Sequence, residues 1–408
     1  MKRSQHTALF DVMIIGAGLA GSSTAYGLAK RGISSCVLES GTTIAPKASG
    51  NPLALITPYI TDKISPRETL YTNGYAFTLE TLLSAPHSLF HQCGALQLPS
   101  RRRLQSILET TNTIFGSSHI TRVSETDASS ISGVTVPSKA FYINDAGYIS
   151  PRQFIEKYLL ADSQYIATYP GTTVCNLTYE KGQWHAQTEN QFTFSAPIVV
   201  LSGAYETNSL QQSSWMPLEA IRGQTELLPT TESLSALQTA LCYGGYITPA
   251  HQGYHMIGAL YRHHDHSLSP LETDTQSILS EASSTFPSLR LTASNTRSRV
   301  CFRTSTPDRI PYIGQVPNIT LMEQNASEVR SGSKLRSRVP LVHYPGLYTS
   351  VGHGSRGLLS CPIGGEILAR LIADEPLQEL ADIHDIVSPS RLPYRLLRTR
   401  LRGGTPKL

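Results

Sequence analysis

The stretch DVMIIGAGLAGSSTAYGLAKRGISSCVLES (11–40) constrains this chain more than any other. Val12, Ile14 and Ile15 read as a buried strand, and Gly16, Gly18 and Gly21 follow it as GxGxxG. Leu19, Ala20, Ala25, Leu28 and Ala29 then suit a helix that stops at Gly32, a good residue for a left-handed helix end. A second strand, CVLE, ends at Glu39, 18 residues after Gly21. The pattern predicts a βαβ unit that cradles a dinucleotide. Gly16 permits the tight turn, Gly18 lets a pyrophosphate approach the positive helix end, and Gly21 allows close helix–strand packing. Glu39 is placed to accept hydrogen bonds from ribose hydroxyls. The fingerprint alone does not choose between FAD and NAD.

Later segments favour FAD. The stretch TIAPKASGNPLALITP (43–58) is rich in small residues and proline, and has no clear helix. A loop here runs along the extended cofactor in flavoproteins, so Ser49, Gly50 and Asn51 are candidates for pyrophosphate and flavin contacts; the plainer reading is a surface loop. TYPGTTVCNL (168–177) places the Val174 backbone as a neighbour for adenine. PIVVLSGAY (197–205) predicts a buried strand ending in a tight turn, with Gly203 and Ala204 near the cofactor. In PGLYTSVGHGSRGLLSCPIGGEILARLIADEP (345–376), Gly352, Gly354, Ser355, Arg356 and Gly357 form a turn that opens a helix. Ile363, Ile367, Leu368, Leu371 and Ile372 share one face of it. Such a helix end, aimed at the flavin pyrimidine edge, stabilises the negative charge left by reduction. A second glycine-rich helix start this late does not suit a simple NAD dehydrogenase.

At 408 residues, two intimately packed domains are the natural expectation. With 40% hydrophobic and 16% charged residues the chain has a real core and is not disordered. No apolar run reaches a membrane-helix length, and the basic start MKRSQHTALFDVMIIGAG reads as a strand, not a signal peptide. Six scattered cysteines without a CxxC pair point to reduced thiols in a cytoplasm, and no metal site is expected. The histidine-rich YRHHDH (261–266) is read as a solvated loop. Of the net +4, residues 391–408 carry +6, which leaves −2 elsewhere. SGSKLRSRVP (331–340) is a second basic cluster. Both are ordinary solubility devices unless the substrate is a polyanion.

Between about residues 11 and 375 the pieces GAGLAG, SGAY, GGYITP, FRTSTPDRIPYIG and GHGSRGL resemble the D-amino-acid-oxidase-like FAD amine oxidoreductases. Glycine oxidase, sarcosine oxidase and D-amino-acid dehydrogenase belong to that group. ASGNP (48–52), IRGQ (221–224), GHGSRGLLSCPIGGEILARLI (352–372) and SPSRLPYRLLRTRLRGG (388–404) are more specific. They resemble the FAD-dependent oxidoreductase half of the tRNA 5-methylaminomethyl-2-thiouridine biosynthesis proteins (MnmC). There a methyltransferase domain usually precedes the flavin domain, and this chain begins at the flavin domain. The resemblance implies an α/β Rossmann-like FAD-binding domain, interleaved with an α+β, mainly antiparallel-sheet substrate domain. The expected bounds are 8–80, 145–205 and 341–375 for the first, 81–144 and 206–340 for the second, and 376–408 for a basic tail.

The implied chemistry is oxidation of a CH–NH group with FAD. The substrate would be the carboxymethylaminomethyl group on wobble uridine 34 of tRNA; glyoxylate leaves and aminomethyl uridine remains. A separate methyltransferase would complete the pathway. An N-substituted glycine needs a cation for its carboxylate, and the planar fork of arginine binds both oxygens. In the oxidase group the arginine of an R-x-x-TPD-x-x-P-x-IG stretch does this, and Arg303 occupies that position. The plainer reading is an ion pair with Asp308, and Arg309 is expected to be structural. Tyr246 matches a tyrosine placed over the flavin, though tyrosine is also a common core aromatic. Arg356 is a candidate for cofactor or substrate contact, or else a helix-end ion-pair partner. His353 is read as packing. The basic tail and the 331–340 loop would supply RNA phosphate contacts. Two other readings stay open: an oxidase or dehydrogenase for free glycine, sarcosine or D-amino acids, and a flavin- and RNA-binding protein without turnover.

Overall fold

The computed structural model describes residues 10–61, 64–98, 120–162, 164–326, 339–394 and 396–397. The chain divides into two compact units: residues 1–49, 155–219 and 304–408, and residues 50–154 and 220–303.

The first unit is built on a six-stranded sheet in the order Tyr312–Pro317, His343–Val351, Ile198–Leu201, Val12–Ile15, Ser35–Glu39, Ile166–Pro170. All neighbours are parallel except Tyr312–Pro317, which runs antiparallel to His343–Val351. The strand Val12–Ile15 is central, so its residues are apolar on both faces, and Val12, Met13 and Ile14 are fully buried. A three-stranded antiparallel sheet (Val174–Glu180, Gln183–Thr188, Thr193–Ala196) packs Leu177, Trp184 and Ala186 into the same core. The first helix, Leu19–Ala29, lies on the late helix, Gly357–Ile372, at a crossing that only glycine permits. A Cβ on Gly365 would stand 2.4 Å from the Ser23 carbonyl carbon, and one on Gly27 would stand 2.9 Å from Ala369 Cβ. Overpacking of this kind costs about 1–3 kcal/mol. Gly365→Ala should therefore lower the melting temperature by several degrees, and an unchanged thermal transition would show that the crossing has slack.

The second unit carries an eight-stranded sheet in the order Arg297–Ser305, Glu219–Pro229, Tyr254–Arg262, Tyr246–Ile247, Ala240–Cys242, Ala95–Gln97, Ala140–Ile143, Ile120–Val123. From Glu219–Pro229 to Ile120–Val123 its pairings are antiparallel except Ala240–Cys242 with Ala95–Gln97. The helix Glu272–Thr285 covers it through Ile278, Leu279 and Ala282, and a small sheet joins Ala54–Ile56, Gly147–Ile149 and Phe90–Gln92. The chain passes from the second unit to the first inside one strand, after Arg303.

These bounds correct the expected ones. Residues 50–80 and 145–154 fall in the second unit, where Ala54 pairs opposite Ile149. Residues 206–219 and 304–340 fall in the first, because Tyr312–Pro317 extends its sheet. The expected basic tail is also partly structure: Gln378–Leu380, Ala381–Val387 and Pro389–Arg391 are helical, and Leu392, Leu396 and Leu397 are buried. Most of the 331–340 cluster and residues 398–408 lie outside the described residues. Among the described residues no helix is long and apolar enough to cross a membrane.

Candidate active site

The glycine turn has the geometry that a phosphate cradle needs. Gly16 sits at φ +108°, and a Cβ there would lie 2.5 Å from Ser202 O. On Gly21 it would lie 1.9 Å from Gly16 O, so no side chain fits either position. Gly18 begins the first helix without a side-chain cap of its own. The Ser49 hydroxyl supplies one, accepting the Leu19 N–H at 3.0 Å, and lies 3.2 Å from the place of a Gly18 Cβ. Ser49 thus stands against the glycine turn and the start of the first helix.

Glu39 ties the turn together. Its buried carboxylate accepts the Ala17 N–H at 2.9 Å, the Gly41 N–H at 2.8 Å and the Ser40 hydroxyl at 3.3 Å. A carboxylate has about four lone-pair sites, which leaves one for a ligand hydroxyl. Thr172 N–H donates to Glu39 O at 2.7 Å, which brings Val174 two residues away from this wall.

On the other side, Ser202 N–H donates to Ile15 O at 2.8 Å and fixes the turn through Gly203 and Ala204 against the cradle. Ala204 holds φ +57°, uncommon for a residue with a side chain. Nearby, the hydroxyls of Ser202 and Thr207 are buried without a hydrogen-bond partner. Buried hydroxyls are normally satisfied, so unpaired ones beside a glycine cradle fit a polar ligand.

The turn 352–357 is tied to the strand before it: Gly354 N–H donates to Thr304 O at 2.8 Å, and His353 bridges Ser305. Gly352 (φ +83°) and Gly354 (φ +58°) supply the left-handed conformations, and Ser355 is exposed. Arg356 is the N-cap of the late helix, without a capping side chain. A Cβ on Gly357 would be 3.8 Å from Leu19, so both helices begin side by side. Two positive helix ends therefore lie side by side.

His353 has a chemical role here that the sequence reading missed. The Ser360 hydroxyl donates to Arg356 O at 3.1 Å, so it accepts from His353 Nδ1 at 2.8 Å; His353 Nε2 then accepts the Ser350 hydroxyl at 3.1 Å. Burial pushes the imidazole down to about 4, so the ring is neutral and locks the turn.

In the second unit, Arg303 lies on the edge strand Arg297–Ser305, with its guanidinium carbon 4.6 Å from the centre of the Tyr261 ring. Among the described residues no carboxylate pairs with it. Burial pulls its proton affinity down, and Tyr246 opposes this. Burial likewise pushes the Tyr246 hydroxyl up to about 12, against the pull of Arg303, so at neutral pH it is a donor. Asn51 makes a different contact from the expected one: it is buried in this unit and accepts Arg299 Nε at 3.0 Å, and Gly50 precedes it there.

Asp308 settles the plainer reading of Arg303. Its carboxylate takes Arg391 instead, with Nε at 3.1 Å and Nη2 at 3.2 Å. Arg391 also stacks 4.3 Å over Tyr312 and donates to the carbonyls of Ile310, Pro311, Val387 and Ser388. These contacts tie it into the fold. Deleting residues 391–408 should accordingly lower thermal stability of the purified protein, and a deletion variant as stable as the full chain would return these residues to the solvated tail. Arg309 is exposed at φ +59°. Among the described residues no group of three His, Cys, Asp or Glu side chains could hold a metal.

Comparison with known proteins agrees with this geometry. A family described as FAD dependent oxidoreductase matches residues 11–371. The bifunctional protein MnmC of Chromobacterium violaceum, named for tRNA 5-methylaminomethyl-2-thiouridine biosynthesis, is 31% identical over 402 residues. That covers 96% of this chain and 61% of the relative. A Pseudomonas putida protein of the same name is 29% identical over 95% of this chain and 60% of its own length. The chain thus spans about three-fifths of the length of these relatives. Glycine oxidase from Geobacillus kaustophilus superposes with a TM-score of 0.72 at 20% identity, covering 92% of this chain and 98% of that one. L-proline dehydrogenase from P. horikoshii gives 0.72 at 17% identity, covering 98% and 99%. Cradle, fold and family match converge: the chain belongs to the FAD-dependent oxidoreductases and uses FAD.

Proposed function

We propose that this oxidoreductase acts on the carboxymethylaminomethyl group of wobble uridine 34 in tRNA. The observation that carries the reading is the name shared by relatives 28–31% identical over 95–97% of this chain. Arg303 supports it, since its guanidinium has no carboxylate partner among the described residues and suits the carboxylate of an N-substituted glycine.

In this reading the first unit holds FAD through Gly16, Gly18, Gly21, Glu39, Ser49 and the turn 352–357, with Val174, Gly203 and Ala204 at the adenine side and middle of the cofactor. FAD, when bound, accepts the two electrons taken from the C–N bond of the secondary amine. Arg303 clamps the substrate carboxylate, and the protonated Tyr246 donates a second hydrogen bond to it. Arg356, at the late helix start, adds positive charge on the cofactor side. The substrate N–CH2 becomes an imine, and water hydrolyses it to the aminomethyl uridine and glyoxylate. No strong protein base is needed if the amine binds neutral. The anticodon loop is single-stranded, so its base can splay into a pocket. A separate methyltransferase would act on the product, and the reaction belongs in the cytoplasm with its tRNA.

The test is to incubate the purified FAD-loaded protein with tRNA from cells lacking the gene and to analyse the nucleosides. Appearance of aminomethyl uridine with stoichiometric glyoxylate is the expected result. Reduction of the flavin by free glycine or D-alanine, with tRNA inert, would replace this reading by that of a free amino-acid oxidase.

A further inference from the structure

The IRGQ stretch (221–224) meets the two faces of the eight-stranded sheet differently. Arg222 pairs opposite Arg262, and both reach Asp274 on the helix Glu272–Thr285, so their side chains lie on the helix-covered face. Successive residues of a strand point to opposite faces, so Gly223 and its partner Tyr261 belong to the other one. The edge strand Arg297–Ser305 alternates in the same way. Its Ser298 donates to Glu226 Oε2 at 2.7 Å, and Thr275 of the helix donates to Glu226 Oε1 at 2.9 Å, which puts Ser298 on the helix side. Arg303, an odd number of residues further on, is therefore on the side of Tyr261, and the two side chains meet there.

The glycine of IRGQ lets the ring lie where it does. A Cβ at position 223 would stand 3.2 Å from Tyr261 Cε1 and 3.3 Å from Cδ1, so the ring lies across the bare backbone of its cross-strand partner. The same ring has the Arg303 guanidinium carbon over it, 4.6 Å from its centre. Such a contact holds a cation by the π-electrons of the ring and not by an oxygen acceptor. The arginine is then fixed in place and keeps its planar fork for a carboxylate. At 42% exposure, Tyr261 is also too open for core packing to be its main contribution.

We propose that Tyr261 is a positioning residue: seated on Gly223, it holds the Arg303 guanidinium in the orientation that receives the substrate carboxylate. The proposal rests on the reading of Arg303 as the carboxylate clamp, and it applies to tRNA and to a free amino acid alike.

The experiment uses the FAD-loaded full chain and measures kcat/KM with tRNA from cells lacking the gene, or with glycine if tRNA is inert. A cation–π contact is worth roughly 2- to 30-fold. Tyr261→Leu keeps apolar bulk but removes the π-face, and should lower kcat/KM by a factor in that range. Tyr261→Phe, which keeps the ring, should recover most of the loss. Gly223→Ala crowds the ring and should fall between Tyr261→Leu and the parent. The deciding measurement is a double-mutant cycle. In an Arg303→Ala background Tyr261→Leu should cost nothing further, because its effect passes through Arg303, whereas a purely structural role would cost the same in both backgrounds. Flavin content and melting temperature are followed in each variant, and Gly223→Ala takes its place in the cycle if Tyr261→Leu fails to fold. Parent-like kcat/KM for the variant used, or an equal loss in both backgrounds, overturns the positioning role and leaves Arg303 as the clamp. Parent-like kinetics of Arg303→Ala, or a parent protein that oxidises neither tRNA nor glycine, overturns the clamp and the positioning role together.

Discussion

Arg303→Ala should purify yellow, with full FAD, and lose most of its turnover. The residues proposed to hold FAD lie in the first unit, while Arg303 belongs to the second, so cofactor content is not expected to change. Losing one partner of a desolvated charge pair costs about 2–5 kcal/mol, or roughly 30- to 5,000-fold in kcat/KM. The loss should be largest for substrates bearing a carboxylate. Arg303→Lys keeps the charge but loses the two-pronged geometry, and should fall between the parent and the alanine variant. Tyr246→Phe removes one neutral donor and should cost about tenfold. Steady-state kinetics with the flavin spectrum as control decides this. A parent-like kcat/KM for Arg303→Ala would remove it from the site under every amine-oxidase reading.

What was legible in the sequence is what short range determines. The strand Val12–Ile15, the three glycines, Glu39 and the buried strand Ile198–Leu201 stand where their local patterns place them, because turn geometry and apolar runs decide them within a few residues. The late helix begins one residue after Arg356, as its glycine-rich turn implies. Its expected apolar face is only partly buried, with Leu371 and Ile372 half-exposed.

Long-range partners were not legible. Asn51 meets Arg299 across 248 positions and Asp308 meets Arg391 across 83, and nothing local marks either pair. Counting charges made residues 391–408 look solvated, yet Leu392, Leu396 and Leu397 recur at helical spacing. That signal of a buried face was present and was outweighed by the arginines. His353 was read as packing because its locked tautomer depends on Ser350 and Ser360, whose hydroxyls meet it only in the folded turn.

The second large effect concerns a pair far from the cofactor cradle. Arg222 and Asp274 are both fully buried and meet at 2.6 Å, with Arg262 closing on the other carboxylate oxygen. Asp274→Ala leaves a buried guanidinium whose one remaining carboxylate partner among the described residues is Asp265, 3.7 Å from its Nε. Breaking a buried pair from one side costs about 3–5 kcal/mol, against a total stability of about 5–15 kcal/mol for a folded protein. The variant should therefore unfold at clearly lower urea. Although burial raises the Asp274 carboxyl, the bonds from Arg262 and Arg222 outweigh it and hold the group below its ordinary range. Its contribution is thus present above the unfolded aspartate value, about 4, and is lost as pH falls through the lower folded value. Burial raises the Asp308 and Glu366 carboxyls too, but the bonds from Arg391, and from Arg31 with Arg370, outweigh it and lower both. The parent should lose stability steadily as pH falls below about 4. Asp274→Ala should start lower and fall less steeply, because one depressed carboxylate is gone. Equal stability of the two proteins at neutral pH would mean that Asp265 moves in to pair with Arg222, and the loop it belongs to would then have to shift with it.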